Sequence, residues 1–125
     1  MLQVVGPAQQ ACFGRLYRGL IDAGVMSVMS ARVAWPAFAR HHGAQDLAAC
    51  WPASISGLLN QTLLRGELGF NGVIMSDASA MAGLGRWGQR SDFVPEIIAS
   101  GHDILLFATS FESDLQHLRN GLCDG

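Results

Sequence analysis

The sequence predicts an α/β fold with parallel strands, and three observations carry that expectation. A helical stretch, a glycine and a short apolar run recur in that order three times along the 125 residues. The apolar runs show no polar alternation, the pattern of strands buried on both faces of a parallel sheet. Half of the residues are hydrophobic and only 14% are charged, against about 25% in an average soluble domain.

The first unit is GRLYRGLIDAGVMSVMS, residues 14–30. Leu16, Leu20 and Ile21 recur at helical spacing, Gly24 suits the left-handed position after a helix, and residues 25–29 read as a strand. The second, PASISGLLNQTLLRGELGFNGVIMSD, covers residues 52–77. Ser54 or Ser56 is the expected cap, Ile55, Leu58, Leu59 and Leu63 form the apolar stripe, Gly69 ends the helix, and residues 73–75 are the strand. The third, DFVPEIIASGHDILLFAT, covers residues 92–109. Asp92 is the expected cap with Pro95 in the first turn. Gly101 is the stop, residues 104–107 are the strand, and a last helix containing Leu115 and Leu118 ends near Gly121.

Helices alternating with such strands predict right-handed βαβ crossovers. Three strands alone leave two unpaired apolar edges, so the pattern favours a segment of a larger α/β protein. Residues 31–53 form a long stretch of little periodicity after the first strand, on the face where α/β proteins bind ligands.

Several functions are disfavoured. A net charge of −2 offers no basic patch for nucleic acid. No apolar run approaches the ~20 residues of a membrane helix, and the N-terminus lacks a signal-peptide pattern, which predicts a cytoplasmic location. Cys12, Cys50 and Cys123 are widely spaced without a C-x-x-C, which predicts reduced thiols. His41 and His42 are adjacent, and His102 and His117 lie far from any cysteine pair, so no metal site and no cofactor are expected. GLGRWG, residues 83–88, matches the dinucleotide fingerprint G-x-G-x-x-G. Its first glycine follows Asp77 by six residues, whereas the phosphate-binding turn needs it directly off the strand. A small nucleotide-binding domain therefore stands as a minor alternative.

Asp77 closes the second strand in VIMSDASAM, residues 73–81. An aspartate there is either a helix cap or a carboxylate at the ligand face of the sheet. Small neighbours (Ser76, Ala78, Ser79 and Ala80) leave room for an approaching ligand.

Taken with LIDAGVMSVMSARVAWPAF before it and IIASGHDILLF after it, the stretch PASISGLLNQTLLRGELGFNGVIMSDASAMAGL resembles glycoside hydrolase family 3. That family includes β-glucosidases and β-N-acetylhexosaminidases. The resemblance covers roughly residues 16–108. It implies that residues 1–125 are a partial catalytic domain, the last three βα units (strands six to eight) of a TIM-type (β/α)8 barrel. It implies Asp77 as the nucleophile position of a retaining exo-β-glycosidase, and Met81 as a residue lining the sugar pocket. The pattern S-D-x-x-x-M-x-G without S-D-W favours β-N-acetylhexosaminides over β-glucosides.

Three departures qualify the likeness. The hexosaminidase branch carries its acid/base on K-H-F-P-G-H-G and D-S-H, and neither motif occurs in this chain. The resemblance places that loop upstream, so the chain alone is expected to be inactive and to need a missing barrel segment or self-association. Arg32 stands where the branch usually has His in M-x-A-H, and Ala78 where it has the second Asp of S-D-D. A non-catalytic binding module built from the barrel is the principal alternative.

Overall fold

The computed structural model describes residues 7–45, 50–78, 88–106 and 110–124. In chain order they form α1 (Pro7–Asp22), β1 (Ser27–Met29), α2 (Pro36–His41), a 3₁₀ turn (Ala53–Ile55) and a π-helix (Leu58–Glu67). Then follow β2 (Val73–Met75), α3 (Arg90–Ala99) and α4 (Phe111–Asp124). The α/β class and the helix–glycine–strand order are as the sequence predicts. Gly24, Gly69 and Gly101 all take positive φ, as helix stops should.

β1 and β2 pair in parallel, with Ser27 opposite Val73 and Met29 opposite Met75. The third predicted strand shrinks to one parallel bridge between Met75 and Ile104, with Ser76 N–H donating to Ile104 O at 2.9 Å. Of the rest of that predicted strand, residues 105 and 106 carry no further strand pairing and residue 107 lies outside the described residues. Among the described residues, two paired strands and a bridge thus stand where three strands are expected.

The core divides by layer. Leu64, Phe70 and Ile74 are buried with Tyr17, Ile21 and Val28 packed against them, which seats α1 and the π-helix on the strands. Ile55, Phe93, Val94 and Ile97 form a second cluster under α3, closed by Leu118 from α4.

The motif L-R-G-E-L-G-F-N-G holds the turn into β2. Arg65 donates to Phe70 O at 3.2 Å and to Gly72 O at 2.6 Å, and meets Asp103 at 2.8 Å. Asp103 also accepts from Ile74 N–H at 2.7 Å. One arginine thus ties helix, turn and the start of the third strand together. Gly72 is fixed by space: a Cβ there would fall 2.3 Å from Met26 O.

Of the local expectations, one is narrowed and others are corrected. Leu59 N–H donates to Ser56 Oγ at 3.3 Å, whereas Ser54 Oγ donates away to Ala31 O, so Ser56 takes the capping role. α3 starts two residues before Asp92, whose carboxylate accepts from Gln89 N–H at 2.9 Å, and Pro95 lies inside the helix. Gly121 sits inside α4 instead of ending it. A Cβ there would lie 2.5 Å from Pro95 Cβ, so glycine allows α4 to approach α3. Arg90 and Asp114 clamp the same two helices through two hydrogen bonds, 2.6 and 2.5 Å long. With Asp114 nearly buried, that hydrogen bonding holds the Arg90 guanidinium above its ordinary pKa.

His102 is buried between β1 and α3. Its Nδ1 lies 2.9 Å from Ile97 O, which can only accept, so Nδ1 carries the proton. Nε2 then accepts from Ser30 Oγ at 2.6 Å. Burial pushes the imidazole below its ordinary pKa, outweighing the Ile97 hydrogen bond and the Asp103 charge. The folded state therefore holds His102 neutral, while the unfolded chain takes up a proton below about pH 6.5. This stabilising contribution is complete above that pH and is lost as the pH falls from there toward the lowered folded value. Between pH 7.5 and 5.5 the melting temperature is expected to fall more in the wild type than in His102→Gln. Parallel curves for the two proteins would contradict this account.

Candidate active site

The site is built at the C-terminal ends of the two strands. Ser76 follows β2 and points inward: it is fully buried, and its Oγ accepts from Leu106 N–H at 2.9 Å. Alternation along the extended chain then turns Asp77 away from the core, leaving its side chain 29% exposed. Ala78 N–H donates to Asp77 Oδ1 at 2.7 Å.

The other carboxylate oxygen faces a cation from the neighbouring strand. Ser30 extends β1 by donating its N–H to Met75 O at 2.9 Å. Two residues later the Arg32 Nε lies 3.7 Å from Asp77 Oδ2, and its side chain is only 12% exposed. The two oxygens of Asp77 are thus met from different sides, one by backbone and one by guanidinium. Shielding from water strengthens such a pair relative to a surface ion pair.

The sequence marks Asp77 and flags Arg32 only as a departure; the structure brings the two together. Met81 and all of GLGRWG except Gly88 lie outside the described residues. The described parts of the long segment after β1, residues 31–45 and 50–53, carry regular structure that its lack of periodicity does not predict. Ala34 bridges Pro52 in antiparallel fashion, and α2 forms between them. His41 and His42 are exposed, with His42 Nε2 3.6 Å from Glu67. Among the described residues no three His, Cys, Asp or Glu side chains converge as metal ligands. Among them, too, no helix is long and apolar enough to cross a membrane.

Parallel strands joined by helices, with a carboxylate and a guanidinium meeting at the strand C-termini, define an α/β domain with its polar site at the carboxyl edge of the sheet. The chain belongs to glycoside hydrolase family 3: residues 9–125 match the "Glycosyl hydrolase family 3 N terminal domain". It is 40% identical over 115 residues to a β-N-acetylglucosaminidase/β-glucosidase of Cellulomonas fimi, covering 90% of this chain and 20% of that protein. A β-hexosaminidase of Vibrio cholerae is 32% identical over 106 residues, 84% of this chain and 29% of the relative. Among solved structures, a β-glucoside phosphorylase, BglX, superposes with a TM-score of 0.91 and 32% identity. That match takes in 100% of this chain and 23% of the other. The chain therefore spans between a fifth and a third of the length of these relatives.

Proposed function

We propose that this chain forms strands six to eight, with their helices, of a (β/α)8 barrel acting on terminal β-linked sugars with retention of configuration. Asp77 is the nucleophile in this reading. The observation that carries it is the position of Asp77, partly exposed beyond the C-terminal end of β2, with Oδ1 accepting from Ala78 N–H and Oδ2 in an ion pair 3.7 Å from Arg32 Nε. A retaining reaction needs such a fixed carboxylate and an acid about 5–5.5 Å from it. Asp77 attacks the anomeric carbon, the bond to the leaving oxygen breaks, and the acid gives that oxygen a proton. An acceptor then attacks the same carbon, loses a proton to the group that acted as acid, and frees the Asp77 carboxylate. Arg32 orients that carboxylate and stabilises its negative charge as it departs in the second step.

Water is the acceptor in hydrolysis. The similarity to BglX, described as a phosphorylase, makes inorganic phosphate a second acceptor to test. The pattern S-D-x-x-x-M-x-G favours a β-N-acetylhexosaminide as donor, and the names of the Cellulomonas and Vibrio relatives support it. The acid/base comes from a barrel segment outside these residues, because K-H-F-P-G-H-G and D-S-H have no counterpart in them. A barrel segment or a second copy would also cover Leu16, Met26 and Met29, which are 56%, 81% and 56% exposed.

Two arms test this. The isolated chain is expected to show no turnover of an aryl N-acetyl-β-glucosaminide above background. Residues 9–125, grafted in place of the matching segment of the Cellulomonas relative, are expected to give an active hybrid, assayed with and without phosphate. A folded hybrid without activity would favour the non-catalytic module instead.

A further inference from the structure

A second surface lies apart from Asp77. The segment after β1 folds back so that Ala34 bridges Pro52, while Ala53 N–H donates to Val33 O at 3.1 Å and Ser54 N–H to Ala31 O at 3.2 Å. One step beyond the bridge, an antiparallel register puts residue 35 across from residue 51. Both are tryptophans. Trp35 and Trp51 line one cavity of about 170 Å³ together with Ile55, Leu58, Ser56 and Glu96. Neither Asp77 nor Arg32 lines it.

The lining mixes apolar and polar surface, with two indoles and aliphatic side chains beside the hydroxyl of Ser56 and the carboxylate of Glu96, the mixture an amphipathic ring such as a sugar needs. Trp35 is anchored by Phe13 and Phe38, with ring centroids 6.0 and 5.6 Å away. Trp51 keeps 43% of its surface in water, where a large indole gains most from a partner. Ser56 Oγ accepts from Leu59 N–H at 3.3 Å, which leaves its own proton to donate. Glu96 adds an exposed acceptor carboxylate on α3. The volume suits one ring, since a cavity of about 150 Å³ holds benzene.

We propose that this cavity is a carbohydrate subsite outside the catalytic centre, taking a single pyranose ring. A pyranose presents an apolar C–H face to an indole, while its hydroxyls donate to Glu96 and accept from Ser56. The proposal shares with the proposed function only the saccharide class of ligand and does not depend on Asp77.

Saturation-transfer NMR on the whole chain tests it, with methyl N-acetyl-β-glucosaminide and methyl β-glucoside as probes. Asp77→Ala is expected to bind one of them as the wild type does. Trp51→Ala should bind at least ~10-fold more weakly, and Glu96→Gln, an exposed change that leaves packing intact, should weaken binding as well. No transfer to Asp77→Ala would overturn the subsite while leaving the catalytic reading standing. Unchanged binding in both Trp51→Ala and Glu96→Gln would overturn it too.

Discussion

Asp77→Ala in the hybrid enzyme is expected to lower kcat for an aryl N-acetyl-β-glucosaminide by about 10⁴-fold or more, the usual scale for removing a covalent nucleophile. A helix-capping aspartate in the same place would predict a different signature. Losing a cap costs about 1 kcal/mol of stability and leaves the chemistry in place. The two roles separate further with azide. With the carboxylate gone, azide can attack the anomeric carbon from the vacated face, displacing the protonated leaving group, so the variant should release an α-glycosyl azide. A capping residue gives no such rescue. Arg32 belongs to the same reading, since its Nε is 3.7 Å from the carboxylate it would hold in place.

The second large effect falls on stability. Arg65→Ala is expected to lower the stability of the chain by about 2 kcal/mol and its melting temperature by roughly 6–10 °C. The ion pair with Asp103 contributes the smaller part, because Asp103 is 47% exposed and water screens it. Most of the loss comes from the carbonyls of Phe70 and Gly72, which accept from one guanidinium nitrogen. Arg65→Lys should recover only part, because an ammonium lacks the planar fork that also reaches Asp103. A melting curve unchanged by Arg65→Ala would show that the turn into β2 holds without it.

What the sequence revealed and what it hid follow from the range of each constraint. The strand ending at Ser76–Asp77 was legible because its causes are local: an apolar run, then a polar pair whose side chains alternate. The helix stops at Gly24, Gly69 and Gly101 were legible for the same reason, since a positive φ is a demand on one residue. Gly121 was misread as a stop because its constraint is tertiary. Nothing near it in sequence reveals that Pro95 of α3 packs against it. The Ser30–His102 hydrogen bond joins residues 72 apart and has no local signature. Arg65 stood in plain view in L-R-G-E-L-G-F, yet its role needs the turn closed around it. At the candidate site the sequence supplied Asp77 and the oddity of Arg32, but their contact crosses from one strand to its neighbour. The pairing of residues 35 and 51 was hidden by the same gap, since the isolated bridge beside them has no strand-like alternation on either side.

In the proposed reaction Asp77 carries the sugar during turnover. A fluorosugar that forms the glycosyl ester quickly and releases it slowly, followed by digestion and peptide mass mapping of the hybrid, tests it most directly. One added sugar is expected on the peptide bearing Asp77, absent from Asp77→Ala. A sugar attached to any other residue, or steady turnover by the Asp77→Ala hybrid, would contradict it.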